Sequence, residues 1–192
     1  MVTFRLKNTW KSCKLLIRLN KAYHPSPHSV YVRRLININQ GDTVHHPHHG
    51  IGQVQNIRKR SFAGEKETTF AQLYFERDGL TLMLRQKDLD KTIRNPIDAG
   101  EAEKLLDHLE NWEGKVSGQW KARANANQEA MDRGDPYDYA EVYKGLSILE
   151  AEGSLRASDR AHLNQSLEFL AEELANALGK TRDQARRQIA KG

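Results

Sequence analysis

Apolar and polar positions alternate along one part of the chain and recur at helical spacing along another. Residues 68–75 (TTFAQLYF) and residues 80–84 (LTLML) alternate with a period of two. Successive side chains of a strand point to opposite faces of a sheet, so this alternation is typical of a strand with one buried face. The pattern predicts short antiparallel strands between residue 42 and about residue 94.

Turn residues separate the predicted strands. Asp78-Gly79 lies between the two alternating runs and is a hairpin signal, and Gly64 marks a turn before the first run. Four or five strands then fit into about 50 residues, which are too few for two full layers. A strongly curled sheet or a small barrel is the economical way to close such a core.

After Pro96 the apolar residues recur every three or four positions, which predicts amphipathic helices. Capping residues and glycines mark the helix boundaries. The predicted helices begin at Asp98, Ser117, Asp135-Pro136, Ser158 and Thr181, and the first four end at Gly114, Gly134, Gly153 and Gly179. The expected fold class is α+β, with a small N-terminal β-barrel module over residues 38–95 and a C-terminal bundle of about five helices over residues 96–192.

The net charge of +5 arises in the first 40 residues rather than in the organised part of the chain. Eight of the 30 lysines and arginines, and none of the 25 acids, lie in residues 1–40, which leaves 22 basic against 25 acidic residues in 41–192. The overall charge is therefore weak support for nucleic-acid binding by the folded part. Such binding requires a local basic patch.

Residues 1–37 form a basic extension that has three interpretations. The extension resembles a transit peptide, upstream sequence translated from a misplaced start, or a disordered basic arm. We favour the misplaced start, because the organised pattern begins abruptly at about residue 38.

Neither a membrane segment nor a disulfide is expected. The strongest apolar candidate, Leu15-Leu16-Ile17, is flanked by Lys14 and Arg18 and is far shorter than the roughly 18–20 residues of a spanning helix. Cys13 is the single cysteine, so an intramolecular disulfide and a cysteine-based zinc site are both excluded. We expect a cytoplasmic protein with no membrane partner.

Four histidines surround Pro47 in the stretch HHPHHG, namely His45, His46, His48 and His49. Neutral imidazole is a common zinc ligand. Adjacent residues on a strand point to opposite faces, however, and Pro47 sets a turn between the two pairs, so the four rings cannot converge. We therefore predict no metal site and interpret the stretch as a polar turn that enters a strand.

The sequence has none of the common catalytic motifs. It lacks G-x-S-x-G, a P-loop, G-x-G-x-x-G and H-E-x-x-H. Most carboxylates lie on predicted helical faces, where solvation is the default. We expect a non-enzymatic protein with no catalytic residues, no cofactor and no small-molecule substrate.

Trp120 is the most informative single residue. It lies in the first turn of a predicted helix, after small and polar residues. Packing against a neighbouring helix is one interpretation. The other is nucleic-acid contact, in which an exposed indole wedges against a base step while Lys121 and Arg123 neutralise phosphates.

The string GDTVHHPHHGIGQV at residues 41–54, followed by a short β-module and a tryptophan-bearing helical bundle, resembles the CarD/CdnL family of bacterial transcription regulators. The similarity covers about residues 38–178. The patterns G-D-x-V and P-x-H-G and the later LTLM at residues 80–83 occur in the family's order and spacing. The helical half is less specific.

The resemblance implies a Tudor-like β-module that docks by strand addition on the β-subunit lobe of RNA polymerase. It also implies a helical domain that places a tryptophan at the minor groove beside the −10 region of the promoter and favours the open complex. Trp120 falls at the family's tryptophan position, and Arg60 aligns with a basic residue of the polymerase-binding face. Leu82, Met83 and Leu84 lie on the strand that lines this face.

Two departures from the family weaken the expected DNA contact. The family's run after the tryptophan is richer in arginine and holds another aromatic, whereas Ala122 and Ala124 interrupt it here. Residues 144–162 carry Glu150, Glu152 and Asp159 in place of an arginine-rich stretch. A divergent member could retain polymerase docking while losing promoter activity.

Three functions remain open at this stage. The leading hypothesis is a monomeric regulator that docks on polymerase through residues 42–94 and touches promoter DNA, weakly and without sequence specificity, through Trp120, Lys121 and Arg123. The second is a protein–protein adaptor with a Tudor-like module and no DNA role. The third is a Tudor-like RNA or ribosome binder that depends on the basic extension.

Overall fold

The computed structural model describes residues 36–61 and 67–191. The predictions for the basic extension up to residue 35 and for the turn at Gly64 lie outside the described residues. The described part has the α+β composition expected from the two periodicities, with four strands followed by helices.

The strands form an antiparallel sheet in the order β1-β2-β3-β4. Their bounds are Thr43–His46 for β1, Gly50–Arg60 for β2, Thr68–Phe75 for β3 and Leu80–Arg85 for β4. The hairpin between β3 and β4 turns at Gly79, whose φ of 59° is the left-handed conformation that glycine adopts without strain. Val44, Val54, Ala71, Leu73 and Phe75 bury the inner face of the sheet together with Ile38, Leu89 and Ile93.

The sheet is open, so the described strands do not close into the barrel that the pattern favoured. The outer edge of β1 is occupied by Arg94, which exchanges two backbone hydrogen bonds with His45 at 2.8 and 3.0 Å. β4 pairs with β3 on one side, and no described residue pairs with its other side. A barrel would require β4 to pair with β1. Arg94, in the segment that follows the sheet, pairs with β1 instead.

Helices follow the sheet. A single 3-10 turn at Gln86–Asp88 leads into the short α1, Leu89–Thr92, which the sequence pattern did not predict. The longer helices of the described residues are α2 (Ala99–Glu110), α3 (Trp120–Arg133), α4 (Pro136–Ala151), α5 (Ala157–Leu178) and α6 (Arg182–Ile189). These five helices match the number predicted after residue 96. None of the helices in the described ranges has the length and apolar character needed to cross a membrane.

Three predicted helix caps are formed and two are not. Asp98 accepts from the Glu101 N–H at 2.8 Å, Asp135 accepts from the Tyr137 N–H at 2.9 Å, and Thr181 forms a capping box with Gln184. α3 begins after Gln119 rather than Ser117, and α5 begins after Arg156 rather than Ser158. Neither Gln119 nor Arg156 provides a side-chain cap.

α5 is the central element of the helical part. Phe169, Leu170, Ala171 and Leu174 are fully buried among side chains from α2, α4 and α6. α5 also contacts β2, so one helix belongs to the bundle core and to the boundary with the sheet. The bundle and the sheet therefore meet along α5.

Candidate partner-binding and nucleic-acid interfaces

The first candidate surface is the outer part of β4. Met83 is 42% exposed, whereas Leu82 and Leu84 are half-buried and pack against the inner core of the sheet. Alternation along the strand explains the difference, since neighbouring residues point to opposite faces. Of the three residues predicted to line the docking strand, Met83 therefore offers its side chain to the outer face, whereas Leu82 and Leu84 face the inner core.

Arginines lie to one side of the exposed methionine on the outer face of the sheet. Met83 on β4 pairs with Gln72 on β3. Two residues further along β3, Phe70 lies between its partners Arg58 on β2 and Arg85 on β4. Two residues beyond that, Thr68 pairs with Arg60 on β2. Paired residues of an antiparallel sheet lie on the same face. Arg60 is therefore exposed on the same face as Met83, together with Arg58 and Arg85, which the sequence interpretation did not include.

The second candidate surface surrounds Trp120, the first residue of α3, whose side chain is 41% exposed. The Lys121 Nζ atom and the Arg156 Cζ atom each lie 5.4 Å from the centroid of the indole ring. These distances are within the range of cation–π interactions. The structure therefore places an accessible aromatic ring beside two cations, a combination that suits contact with bases and pairing with phosphates.

Arg123 is not part of this exposed surface, and its predicted role as a phosphate contact is not supported by its position. The side chain is 7% exposed, and its Nη2 atom lies 2.5 Å from Oδ2 of the fully buried Asp159. Its Nη1 atom donates to the Ser117 carbonyl at 2.6 Å. Arg123 is a structural ion-pair partner because α5 presents a carboxylate to the inner side of α3.

Sequence reasoning missed Arg156 because the residue is far from Trp120 along the chain. It immediately precedes α5, in residues 144–162. The acidic residues of that stretch led to the interpretation that it does not contact DNA strongly. The only available signal was a basic residue just before a predicted helix start. Recognising its role required knowing that α3 and α5 begin side by side.

The four histidines around Pro47 separate in the structure. His45 is fully buried and His46 is 8% exposed, so the prediction of a polar turn is wrong for these two residues, which belong to β1. His49 Nδ1 lies 2.8 Å from Asp78 Oδ2, and His48 Nδ1 lies 3.8 Å from Asp132 Oδ1. Pro47 and Gly50 flank the turn between β1 and β2.

His45 lies between the sheet and the bundle. Its Nδ1 atom is 3.0 Å from Glu173 Oε1, and its Nε2 atom is 2.9 Å from the Tyr139 hydroxyl. Burial, assisted by Arg94, lowers the pKa of His45 to about 4. The ring is therefore neutral, with Nδ1 facing the carboxylate and Nε2 hydrogen-bonded to the Tyr139 hydroxyl.

Glu173 is ionised in this buried setting. Burial by itself raises the pKa of a carboxyl group, but the Arg94 guanidinium and then His45 outweigh it and bring the pKa of Glu173 to about 2. Arg94 Nη2 contacts Glu173 Oε1 directly. A buried cluster of charged and polar groups therefore links the sheet to α5.

Comparison with known proteins agrees with both halves of the structure. Residues 38–97 match the family model described as CarD-like/TRCF RID domain, and residues 104–190 match the model described as CarD, C-terminal domain. The chain is also similar to YdeB, a proposed transcription factor of Bacillus subtilis (strain 168), with 28% identity over 145 residues that cover 75% of this chain and 94% of YdeB. With both domain models matched in succession, the chain belongs to the CarD/CdnL family of transcription regulators.

Proposed function

We propose that this chain docks on the β-subunit lobe of RNA polymerase by strand addition along β4 and stabilises the promoter open complex with Trp120. The observation that carries the proposal is the pairing of β4 on one side only among the described strands, next to an outer face with Met83 and arginines. An unpaired edge offers backbone N–H and C=O groups to an incoming strand. The arginines favour a partner with acidic side chains beside that strand.

Trp120 supplies the DNA contact in this proposal, and its cations are Lys121 and Arg156. A wedge of this kind needs a deformable base step and stacking area, and no base-specific hydrogen bonds. One stacked ring and two phosphate contacts provide a few kcal/mol at most. Free protein therefore binds DNA weakly, and docking on polymerase raises its effective concentration at the promoter.

Binding to the purified β-subunit lobe tests the docking step. Met83→Asp places a carboxylate on the proposed surface, and we expect binding to weaken at least about ten-fold because the charge is desolvated on docking. Ile148→Asp is the matched control, since Ile148 is also 42% exposed but lies on α4. Absence of wild-type binding, or equal binding by the two variants, contradicts docking at β4.

A protein–protein adaptor with no DNA role is the alternative, and the burial of Arg123 favours it, because one of the two cations expected beside Trp120 is unavailable. Footprinting of polymerase–promoter complexes separates the two functions. Protection at the upstream edge of the −10 region supports the regulator, whereas docking without any change in protection supports the adaptor.

A further inference from the structure

Two adjacent carboxylates of α5 are buried at the boundary between the sheet and the bundle. Glu172 is 3% exposed and Glu173 is fully buried. Burying an ionised carboxylate is unfavourable unless cations and hydrogen-bond donors surround it. The partners of these two residues come from the β-module, from the connection between α1 and α2, and from Arg182 of α6.

Glu173 joins three segments at one carboxylate. Oε1 contacts His45 of β1 and Arg94, and Oε2 accepts from the Ile97 N–H at 3.1 Å. Arg94 and Ile97 belong to the connection between α1 and α2. The first strand and the connection to the bundle are therefore both fixed to α5.

Glu172 contacts β2, the turn between β3 and β4, and α6. Oε2 accepts from the Ile51 N–H at 3.0 Å, and Oε1 lies 3.6 Å from both Arg77 and Arg182. Gly50 has a φ of 69°, and a Cβ atom at this position would overlap the Glu172 carboxylate. The glycine therefore permits the close approach of α5 to the start of β2.

Arg94 extends the same network to the helix that carries Trp120. Its Nε atom donates to the carbonyl of Gly134, the residue that ends α3, at 2.6 Å. Its backbone also pairs with His45. One arginine thus connects β1, α5 and the C-terminal end of α3.

We propose that Glu172 and Glu173 are positioning residues that hold the β4 edge and Trp120 at one fixed separation and orientation. This inference rests on the proposed function, because it concerns how two binding surfaces of one molecule act together. The two carboxylates accept directional hydrogen bonds from the Ile51 and Ile97 N–H groups, and such bonds allow fewer relative orientations than apolar packing alone. Because this separation is fixed, docking of β4 on polymerase places Trp120 at one position on the promoter.

Pulsed electron paramagnetic resonance on the full chain tests the positioning role. Cys13 is the single cysteine, so Cys13→Ser removes the native thiol, and Thr81→Cys on β4 with Asn125→Cys on α3 places two labels at exposed positions. We expect a narrow distance distribution in this background. Adding Glu173→Gln is expected to broaden the distribution, because Arg94 and His45 lose their ionised partner.

Two further variants make the measurement specific. Glu168→Gln is the matched control, because Glu168 is also on α5 but pairs with Arg186 of α6, within the bundle. Glu172→Gln is the second variant if Glu173→Gln does not fold, since burial raises the pKa of Glu172 and the loss of its charge is therefore a smaller change than at Glu173. A distribution as narrow in the folded Glu172 or Glu173 variant as in the Glu168 variant overturns the proposal.

Polymerase assays then separate this inference from the proposed function. The expected result for Glu173→Gln is normal affinity for the β-subunit lobe together with an open-complex lifetime that falls toward that of Trp120→Ala. Loss of β-lobe affinity in the folded variant contradicts a positioning role. The distance measurement uses neither polymerase nor DNA, so it decides the positioning role even if wild-type protein fails to bind the lobe.

Discussion

Arg123 and Asp159 form a buried ion pair between the first turns of α3 and α5, with 2.5 Å between Nη2 and Oδ2. The pair holds together the two helix starts that bring Trp120 and Arg156 into contact. Arg123 therefore contributes to the exposed surface indirectly, by fixing the backbone beneath it.

Breaking this pair is expected to destabilise the protein strongly. Asp159→Asn leaves the Arg123 guanidinium charge buried without its counter-ion, so the free energy of unfolding should fall by about 3 kcal/mol or more. Urea denaturation measures the change. Arg160→Gln is the control, because the Arg160–Glu150 pair is exposed and its loss should change stability by less than about 1 kcal/mol. Similar losses in the two variants contradict a structural role for Arg123.

Replacing Trp120 should affect promoter complexes more than folding. The side chain is 41% exposed, so Trp120→Ala is expected to lower the free energy of unfolding by about 1 kcal/mol or less, while open-complex lifetime falls several-fold. Competitor challenge of preformed complexes measures the lifetime. Ile148→Ala removes a similarly exposed apolar side chain and should leave the lifetime unchanged.

The cations beside Trp120 should set the salt dependence of DNA binding. Lys121→Gln and Arg156→Gln each remove one charge from the surface around the indole ring. Each is expected to reduce the magnitude of the slope of log affinity against log salt concentration by about one, the contribution of one phosphate contact. The reduction should be the same for different DNA sequences. Arg187→Gln, at an exposed position of α6, serves as the control. Unchanged slopes in the first two variants would rule out phosphate contact at this surface.

Stability should fall as the pH is lowered from 6.5 toward 4. The folded protein holds His45 at a pKa of about 4, chiefly through burial, against a usual value of 6.5. The unfolded chain therefore takes up a proton that the folded protein does not, which disfavours folding by up to about 3 kcal/mol at the acid end of this window. The depressed pKa of Glu173, about 2 against 4.5, extends the loss to lower pH.

Urea denaturation across this pH range checks the titration of His45. His45→Asn retains an N–H group near Glu173 and cannot take up a proton, so its stability should decline less between pH 6.5 and pH 4. Burial also lowers the pKa of His46 to about 4, so part of the decline should remain. Identical pH profiles for wild type and variant would show that His45 does not contribute.

Gly50 and Gly153 provide a matched test of how closely α5 approaches the sheet. Both have a φ of 69°, but a Cβ atom at Gly50 would overlap Glu172, whereas nothing lies within 4 Å of one at Gly153. Alanine in the left-handed conformation costs about 1–2 kcal/mol at either position. Gly50→Ala should cost more, as measured by thermal unfolding, and equal losses would contradict a tight contact at Glu172.

The local signals in the sequence were sufficient for β3, for β4 and for three of the five helix starts. Asp98, Asp135 and Thr181 act as caps because capping depends on residues within one turn. The period-two pattern identified β3 and β4 and the turn between them for the same reason. These features depend on neighbours in sequence.

Features that depend on distant residues could not be predicted. The burial of Arg123 requires Asp159, which is 36 residues away, and the burial of His45 requires Tyr139 and Glu173 on helices far along the chain. Hydrophobic periodicity assigns a face to each residue and does not say what covers that face. In a closed barrel β4 would pair with β1, but here Arg94 pairs with β1 instead. The alternation of apolar and polar residues could not show this pairing.

The two sides of the sheet differ in what they can recruit. The side at β1 is sealed by the chain's own connecting segment, and the side at β4 is unpaired among the described strands. If two copies associated edge to edge through β4, the free edge of each copy would become paired. With only the described strands considered, such self-association ends at a dimer, so the β4 edge can be offered to a large partner without continued growth by edge pairing.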